Sequence, residues 1–213
     1  HIFSALGTDV TLINRSDGVL RREDTEVRLR YARRLARDVN LRLNQTLVRL
    51  EEGDRGRVAV VTRDVHGVGY SFQGDHVLIA IGRVPNSDRL GLDAAGVAVD
   101  EHGFAVVDEF QRTTADGVWA LGDVASPWML KHVANHEART VRHNLLHPDD
   151  LRASDHRFVP HAVFSNPPVA AVGLTEEQAR EAGHDIVTAV REYSSVAYGW
   201  ALEDEHHCVK LVA

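Results

Sequence analysis

The sequence predicts an α/β fold followed by a smaller α+β unit. Strand-like and helical segments occur together over roughly the first 148 residues. The run HVLIAI (His76–Ile81) is apolar after its first residue, as in a strand that is covered on both faces. Beyond about residue 155, short strands, Pro-rich turns and one short helix replace this pattern, which is typical of an α+β unit.

Three compositional blocks divide the 213 residues. We predict three domains or parts of domains over residues 1–79, 80–148 and 155–213, with the segment LHPDDLRASD (Leu146–Asp155) as the linker before the third. The chain starts at His1 inside a helix-like segment and stops inside a strand-like run. We therefore expect that it is cut at both ends from a longer protein.

The first block predicts a short helix that stops at Gly7, a strand over Val10–Asn14 and an Arg-rich helix over Glu23–Asp38. Two alternating strands follow, near Arg57–Arg63 and Gly69–Phe72. The segment GRVPN contains both Gly and Pro, and it therefore ends the apolar run that precedes it.

The second block predicts the strands FAVVD (Phe104–Asp108) and GVWAL (Gly117–Leu121) and an amphipathic helix over Lys131–Leu146. A 4-3-4 spacing of apolar residues assigns one face of this helix to the core. The predicted buried face consists of Ala134, Ala138, Val141 and Leu145, and the opposite face of His132, His136, Arg139 and His143.

The third block predicts two strands around the Pro-rich turn of HAVFSNPPVAAV and then a short helix, TEEQAREAG. Thr175 and Gln178 have the spacing of a capping box, and Gly183 ends the helix. Further strands are predicted near Asp185–Tyr193 and Cys208–Val212.

Composition excludes several classes of protein. The net charge is -7 with dispersed basic residues, so nothing supports nucleic-acid binding, and no run of about 18 apolar residues predicts a membrane span. The single cysteine, Cys208, cannot form an internal disulfide, which indicates a reducing compartment, the cytoplasm. Its apolar neighbours favour a buried, inert thiol over a catalytic one.

Two arginines follow the first predicted strand. Arg15 comes directly after Asn14, and Arg21 follows six residues later. In a dinucleotide-binding fold, arginines at this place accommodate the 2′-phosphate of NADP, because guanidinium groups offer permanently charged, forked donors. Two solvated surface arginines are the alternative. The chain has no G-x-G-x-x-G loop, so the phosphate cradle is inferred and would precede His1.

A carboxylate lies where the strand GVWAL leads towards the next helix. Asp123 follows that strand, and a loop connects it to a helix start near Lys131. A carboxylate accepts hydrogen bonds from ligand hydroxyls, and a helix N-terminus offers N–H groups and partial positive charge. The combination suits an anionic or electron-accepting ring. A turn or N-cap role for a lone Gly-Asp is the alternative.

Two histidines on one helical face offer a rival interpretation. His132 and His136 are four residues apart, a spacing that metal sites use. His143 lies about 10 Å farther along the axis, and no cysteine is near in sequence. We predict no metal site and favour a polar stripe that faces solvent or substrate, with a His-based metal-binding module as the alternative of a different class.

Several linked motifs resemble the pyridine-nucleotide disulfide oxidoreductases, a family of flavoproteins. AIGRVPN (Ala80–Asn86) resembles the family's crossing from the NAD(P) domain to the FAD domain, and VDEFQRTTADGVWALGD resembles its second FAD motif. VFSNPPVAAVGLTEEQA resembles the start of its interface domain. The resemblance implies the end of an NADPH domain over 1–79, a second FAD segment over 80–148 and part of a dimerisation domain over 155–213.

The resemblance implies two cofactors, FAD and NADPH. Asp123 would bind the ribityl chain of the flavin, and the helix start at Met129–His132 would lie under the pyrimidine end of the ring and stabilise negative charge there. Gly82 and Arg83 would lie near the nicotinamide nucleotide. The implied cofactor-binding residues are Arg15, Arg21, Gly82, Arg83, Asp123, Met129, Leu130, Lys131 and His132.

The implied reaction is the reduction of a small-molecule disulfide by a homodimer, with electrons passing from NADPH through FAD and a cysteine pair. LKHVANHEAR and VAYGWALEDE resemble the subfamily that reduces mycothiol disulfide. The family's first FAD glycine loop, cysteine pair, NADPH glycine loop and C-terminal His-Glu pair do not occur in this sequence. We therefore assign no catalytic residue and predict that this piece alone is inactive.

Three alternatives stay open. A dihydrolipoamide dehydrogenase or a mercuric-type reductase of the same family would share most of these motifs, although Arg15 and Arg21 favour NADPH over NADH. The metal-binding module is the second. The third is a non-catalytic interaction domain built from the last block.

Overall fold

The computed structural model describes all 213 residues and contains both helices and strands, which confirms the mixed α/β class. None of the helices has the length and apolar content that crossing a bilayer requires. In chain order the elements are α1 (Ile2–Ala5), β1 (Thr11–Ile13), α2 (Thr25–Leu35), β2 (Asn40–Arg42), β3 (Thr46–Glu52), β4 (Val58–Arg63), β5 (Gly69–Gly74), α3 (Lys131–Leu146), β6 (His161–Val163), β7 (Val169–Ala171), α4 (Glu176–Glu181), β8 (Thr188–Glu192), α5 (Ala197–Ala201) and β9 (Cys208–Val212).

The chain forms two units. Residues 1–79 and 162–213 make up the first unit, and residues 80–161 make up the second. This division joins the first and last parts of the sequence in one unit. The assignment of the three sequence blocks to named domains stays a prediction.

The first unit contains a parallel β–α–β motif. β1 and β2 run parallel, with Leu12 opposite Leu41, and α2 forms the connection between them. The carboxylate of Asp24 caps α2 by accepting the N–H of Glu26. The helix packs on the unit's hydrophobic core, whose buried members are Val19, Tyr31, Leu35, Val39 and Val169.

Antiparallel sheets complete the first unit. β3, β4 and β5 form a three-stranded sheet in that order, and β8 pairs with β9. Before α4, the hydroxyl of Thr175 accepts the N–H of Gln178, and Oε1 of the Gln178 side chain accepts the N–H of Thr175. This pair of bonds confirms the predicted capping box. Gly183 has a φ of +80°, as a helix-ending glycine requires.

The predicted strand over His76–Ile81 is wrong. The segment forms no strand, and Leu78 and Ile81 are 75% and 88% exposed. A strand covered on both faces needs neighbouring backbones to satisfy its N–H and C=O groups, and no segment of this chain pairs with it.

The two predicted strands of the second unit are also wrong as continuous strands. FAVVD and GVWAL take part only in isolated bridges, because each meets its neighbour at single positions between turns. The bridged pairs are Val99 with Ala105, Val107 with Thr113 and Arg112 with Trp119.

α3 has the predicted bounds, but its predicted buried face is only partly right: Val141 is buried and Ala134 is half-buried. Ala138 is exposed and Leu145 is 58% exposed. The residues that the helix buries are Val133, Glu137, Thr140, Val141 and Asn144. Glu137 and Asn144 can be buried because hydrogen bonds to surrounding loops satisfy their side chains.

Candidate cofactor-binding site

A tight turn in the second unit carries Asp123. Residues Gly122–Val124 form one turn of 3-10 helix after the extended residue Leu121. Gly122 has a φ of +72°, and a Cβ at this position would lie 3.3 Å from the Cβ of Ala134 in α3. Glycine therefore allows both the left-handed backbone and the close approach of the turn to the helix.

The carboxylate of Asp123 faces Arg83. Nη1 of Arg83 lies 3.9 Å from Oδ2 of Asp123, and both side chains are more than half exposed. Both Nη atoms of Arg83 also donate to the carbonyl of Met129 at 3.4 Å. Arg83 thus spans from the turn to the segment before α3. Because exposed ion pairs contribute only about 0–1 kcal/mol, the carboxylate keeps its capacity to accept hydrogen bonds from a ligand.

α3 begins without a side-chain cap. Leu130 occupies the N-cap position in extended conformation, and the first turn contains no acidic residue. The partial positive charge of this helix end is therefore not compensated by a carboxylate from its own first turn. Met129 has a φ of +47°, an uncommon conformation for a residue other than glycine.

Lys131 and His132, two of the predicted cofactor-binding residues, contact neighbours within the second unit. Nζ of Lys131 donates to Oδ1 of Asn135, one turn along the helix. Nε2 of His132 lies 2.7 Å from the carbonyl oxygen of Pro160. The predicted residues Arg83, Asp123 and Met129 thus meet at the start of α3, Gly82 adjoins Arg83 in sequence, and Leu130, Lys131 and His132 open the helix.

A buried hydroxyl lies in the loop between Asp123 and Met129. Ser126 is 4% exposed, and its Oγ has no hydrogen-bond partner. An unsatisfied buried hydroxyl costs about 1–3 kcal/mol, so such a group commonly marks a place for a ligand or an ordered water. This feature fits a loop that closes on a polar ligand.

The histidines of α3 do not assemble a metal site. Nε2 of His136 accepts the backbone N–H of Asp155 at 3.2 Å, and His132 contacts a carbonyl, so each uses a ring nitrogen for a backbone contact. No cluster of three or more His, Cys, Asp or Glu side chains in the chain could hold a metal ion.

Glu137 is a residue of this site that the sequence pattern did not reveal. It is 1% exposed, its Oε2 accepts the N–H of Gly122 at 2.7 Å, and its Oε1 lies 2.9 Å from Nε2 of His156. A signal was present in the sequence, because Glu137 lies four residues from Val133 on one side and from Val141 on the other, on the buried stripe of the helix.

Arg15 and Arg21 lie in the first unit. Both are exposed, and Arg15 follows β1. Nη1 of Arg21 donates to Oγ of Ser16 at 3.4 Å, and neither arginine forms an ion pair with a carboxylate. Both guanidinium groups are therefore available to an anionic ligand.

Cys208 is partly buried in β9. Burial raises the pKa of its thiol above the ordinary value, although the nearby Arg30 acts in the opposite direction. A raised pKa lowers the thiolate fraction at neutral pH, which disfavours nucleophilic chemistry at this residue.

The sequence matches a known family over both units. Residues 1–138 match the family model described as pyridine nucleotide-disulphide oxidoreductase, and residues 159–213 match the model of that family's dimerisation domain. The chain belongs to the pyridine nucleotide-disulphide oxidoreductase family, and the resemblance predicted from the motifs is confirmed. Members of this family use FAD and NAD(P)H.

Particular relatives narrow the comparison. The chain is 47% identical over 216 residues to mycothione reductase of Mycobacterium tuberculosis. The match covers 100% of this chain and 46% of that protein. The chain is 33% identical over 214 residues to dihydrolipoyl dehydrogenase of the same organism, again covering 100% of this chain and 46% of the relative. The chain thus spans about half the length of the curated relatives it matches.

A solved structure supports the fold. The HOCl-induced flavoprotein disulfide reductase RclA from Escherichia coli superposes with a TM-score of 0.87 at 32% identity, covering 100% of this chain and 48% of that one. The likeness supports the α/β fold over the part of that flavoprotein that this chain matches.

Proposed function

We propose that this chain is part of an FAD- and NADPH-dependent disulfide reductase that acts on mycothiol disulfide. One observation carries the proposal: the carboxylate of Asp123 and the uncapped start of α3 lie together, with Arg83 reaching both. The identity of 47% to mycothione reductase favours mycothiol disulfide as the substrate.

The residues at the start of α3 fit the flavin end of FAD. Asp123 presents exposed acceptor oxygens that suit the hydroxyls of a ribityl chain, and the uncapped end of α3 suits the electron-rich pyrimidine edge. The unsatisfied hydroxyl of Ser126 in the intervening loop offers one more polar contact. When bound, FAD supplies the two-electron chemistry that links a reduced pyridine nucleotide to a disulfide.

Two arginines of the first unit are proposed to bind the 2′-phosphate of NADPH. Arg15 and Arg21 are exposed and free of ion pairs, so they can bind a 2′-phosphate through charge-assisted hydrogen bonds. Gly82, in the second unit, has a φ of +139° and open space around the position of a Cβ. This local openness would let a nucleotide approach the backbone beside Arg83.

The remaining parts of the proposal concern the whole protein. The match of residues 159–213 to a dimerisation domain supports a homodimer. No residue of this chain is assigned to the bond-breaking step at the disulfide. The 213-residue chain alone is predicted to lack reductase activity.

Dihydrolipoamide dehydrogenase and a mercuric-type reductase are the alternatives within the family. They would share the flavin-facing groups, and the arginines Arg15 and Arg21 distinguish the proposal from an NADH-linked enzyme. The metal-binding module has less support, because His132 and His136 each use a ring nitrogen in a contact with the backbone.

The test is a steady-state assay of the purified gene product that contains this chain. Oxidation of NADPH is followed at a fixed enzyme concentration with mycothiol disulfide, lipoamide or Hg(II) as the acceptor, and each assay is repeated with NADH. We expect the highest kcat/KM with NADPH and mycothiol disulfide. A higher kcat/KM with NADH and lipoamide would contradict the proposed substrate and the role of the two arginines.

A further inference from the structure

We propose that Glu137 is a positioning residue for the flavin, because its buried carboxylate fixes the turn that presents Asp123. The inference deepens the proposed function and rests on it, since it assigns Asp123 to the cofactor. Glu137 itself acts through the backbone of Gly122 and not through contact with a ligand.

The burial of this carboxylate calls for an explanation. Glu137 is 1% exposed and lies in the middle of α3, away from either helix end. A buried carboxylate loses its hydration, and it is tolerated only where partners replace the lost water contacts. A hydrophobic side chain at this position would serve packing alone, so the acid indicates a specific role for its oxygens.

Each carboxylate oxygen has its own partner. Oε2 accepts the N–H of Gly122 at 2.7 Å, and Oε1 lies 2.9 Å from Nε2 of His156. The carbonyl of Gly122 in turn accepts the N–H groups of Ala125 and Ser126 at 2.9 and 2.8 Å. Both backbone polar groups of Gly122 are therefore engaged, and the orientation of the next residue, Asp123, follows from them.

The segment after α3 secures the other side of Glu137. The ring of His156 is about one-third exposed and has an edge-on arrangement to His136 with 6.3 Å between the ring centroids. Nε2 of His136 accepts the N–H of Asp155. Residues 155 and 156 are thus attached to α3 at two points, and His156 contacts the carboxylate directly.

The contrast with Arg83 shows why the buried bond matters for positioning. Arg83 reaches Asp123 only across 3.9 Å and at an exposed site, where solvent weakens the attraction. The bond from Gly122 to Glu137 is short and shielded from water, which strengthens it. The placement of Asp123 therefore depends mainly on the buried side of the turn.

The experiment compares isosteric variants in the full gene product. Glu137→Gln keeps an oxygen that can accept the Gly122 N–H, whereas Glu137→Met has similar volume and no acceptor. Glu109→Ala, at an exposed glutamate of the same unit, is the control for general effects. Each protein is stripped of flavin, and the Kd for FAD is measured by quenching of flavin fluorescence.

We expect Glu137→Gln to stay within about threefold of the wild-type Kd. Glu137→Met should raise the Kd by about tenfold, because it leaves the buried N–H of Gly122 without an acceptor. At saturating FAD, the visible circular dichroism of the flavin should differ from wild type in Glu137→Met and match wild type in Glu137→Gln. Thermal unfolding of the flavin-free proteins checks that every variant is folded.

The outcomes separate the two levels of the account. Wild-type protein that binds no FAD would overturn the proposed function, and the role of Glu137 would fall with it. Wild-type protein that binds FAD, with equal Kd values and dichroism for the Gln and Met variants, would overturn the positioning role alone.

Discussion

Gly122 donates its backbone N–H to Oε2 of Glu137 at 2.7 Å, and this bond attaches the turn that carries Asp123 to the middle of α3. The same glycine has a positive φ, and a Cβ added at this position would lie 3.3 Å from the Cβ of Ala134. Turn and helix therefore act as one part of the second unit.

Asp123→Ala should weaken FAD binding. A hydrogen bond to a charged group contributes about 1.5–3 kcal/mol, so the Kd should rise by roughly 10- to 150-fold. Titration of the flavin-free gene product with FAD, followed by visible absorbance, measures the change. Asp116→Ala, an exposed carboxylate a few residues upstream, is the matched control and should leave the Kd unchanged. Equal Kd values for the two variants would remove Asp123 from the site.

Arg15→Ala and Arg21→Ala should each raise the KM for NADPH by about tenfold, because each removes a charge-assisted contact to the 2′-phosphate. The KM for NADH, which lacks this phosphate, should change little. Arg22→Ala, at the exposed neighbouring arginine, is the control. A parallel rise of both KM values would argue against recognition of the 2′-phosphate by these side chains.

Gly122→Ala should destabilise the protein more than Gly117→Ala. Both glycines have a φ near +70°, which costs about 1–2 kcal/mol for an L-residue, but only a Cβ at Gly122 meets a neighbour within 4 Å. The free energy of unfolding in urea measures both costs. If the two variants lose the same free energy, the close approach of the turn to α3 has no energetic consequence.

Lys210 should make the stability of the first unit depend on pH. Its side chain is 9% exposed, and its ammonium group donates to Asp24 and Glu176. Burial raises the pKa of Asp24, but the hydrogen bonds from Lys210 and from backbone amides lower it by a larger amount. The net shift of this pKa is therefore downwards. The hydrogen bond from Lys210 also lowers the pKa of Glu176.

Because both folded-state pKa values are depressed, their stabilisation is present above the unfolded values of about 4 and is lost as pH falls through the folded values. Lys210→Met should therefore lower the free energy of unfolding at pH 7, and the difference from wild type should shrink below pH of about 4. Arg49→Met, at an exposed ion pair with Glu51, is the control. A difference that does not vary with pH would exclude this ionic network as its source.

Regular elements with a strong local signal were predictable from the sequence. The bounds of α3 and the capping box at Thr175 and Gln178 match the structure, because helix periodicity and capping chemistry are local properties. The strand predicted over His76–Ile81 is absent from the structure. Whether an apolar run forms a strand depends on neighbouring strands, and no segment of this chain pairs with these residues.

The buried polar side of the site was the least accessible to sequence reasoning. Ala138 and Leu145 are apolar and exposed, whereas Glu137 and Asn144 are polar and buried. A prediction from hydrophobic spacing uses only the free energy of transferring each side chain out of water. It takes no account of hydrogen-bond partners such as Gly122 or His156 that come from loops. The role of Arg15 and Arg21 stays a prediction for the same reason, because their proposed partner is a ligand.

The central claim is that the turn at Asp123 and the start of α3 form part of a flavin site. The most direct measurement is the visible absorption spectrum of the purified gene product, before and after incubation with FAD and removal of free flavin. We expect an oxidised-flavin spectrum and about one FAD per chain, with less FAD retained in Asp123→Ala than in Asp116→Ala. A wild-type protein that remains colourless after incubation with FAD would contradict this claim.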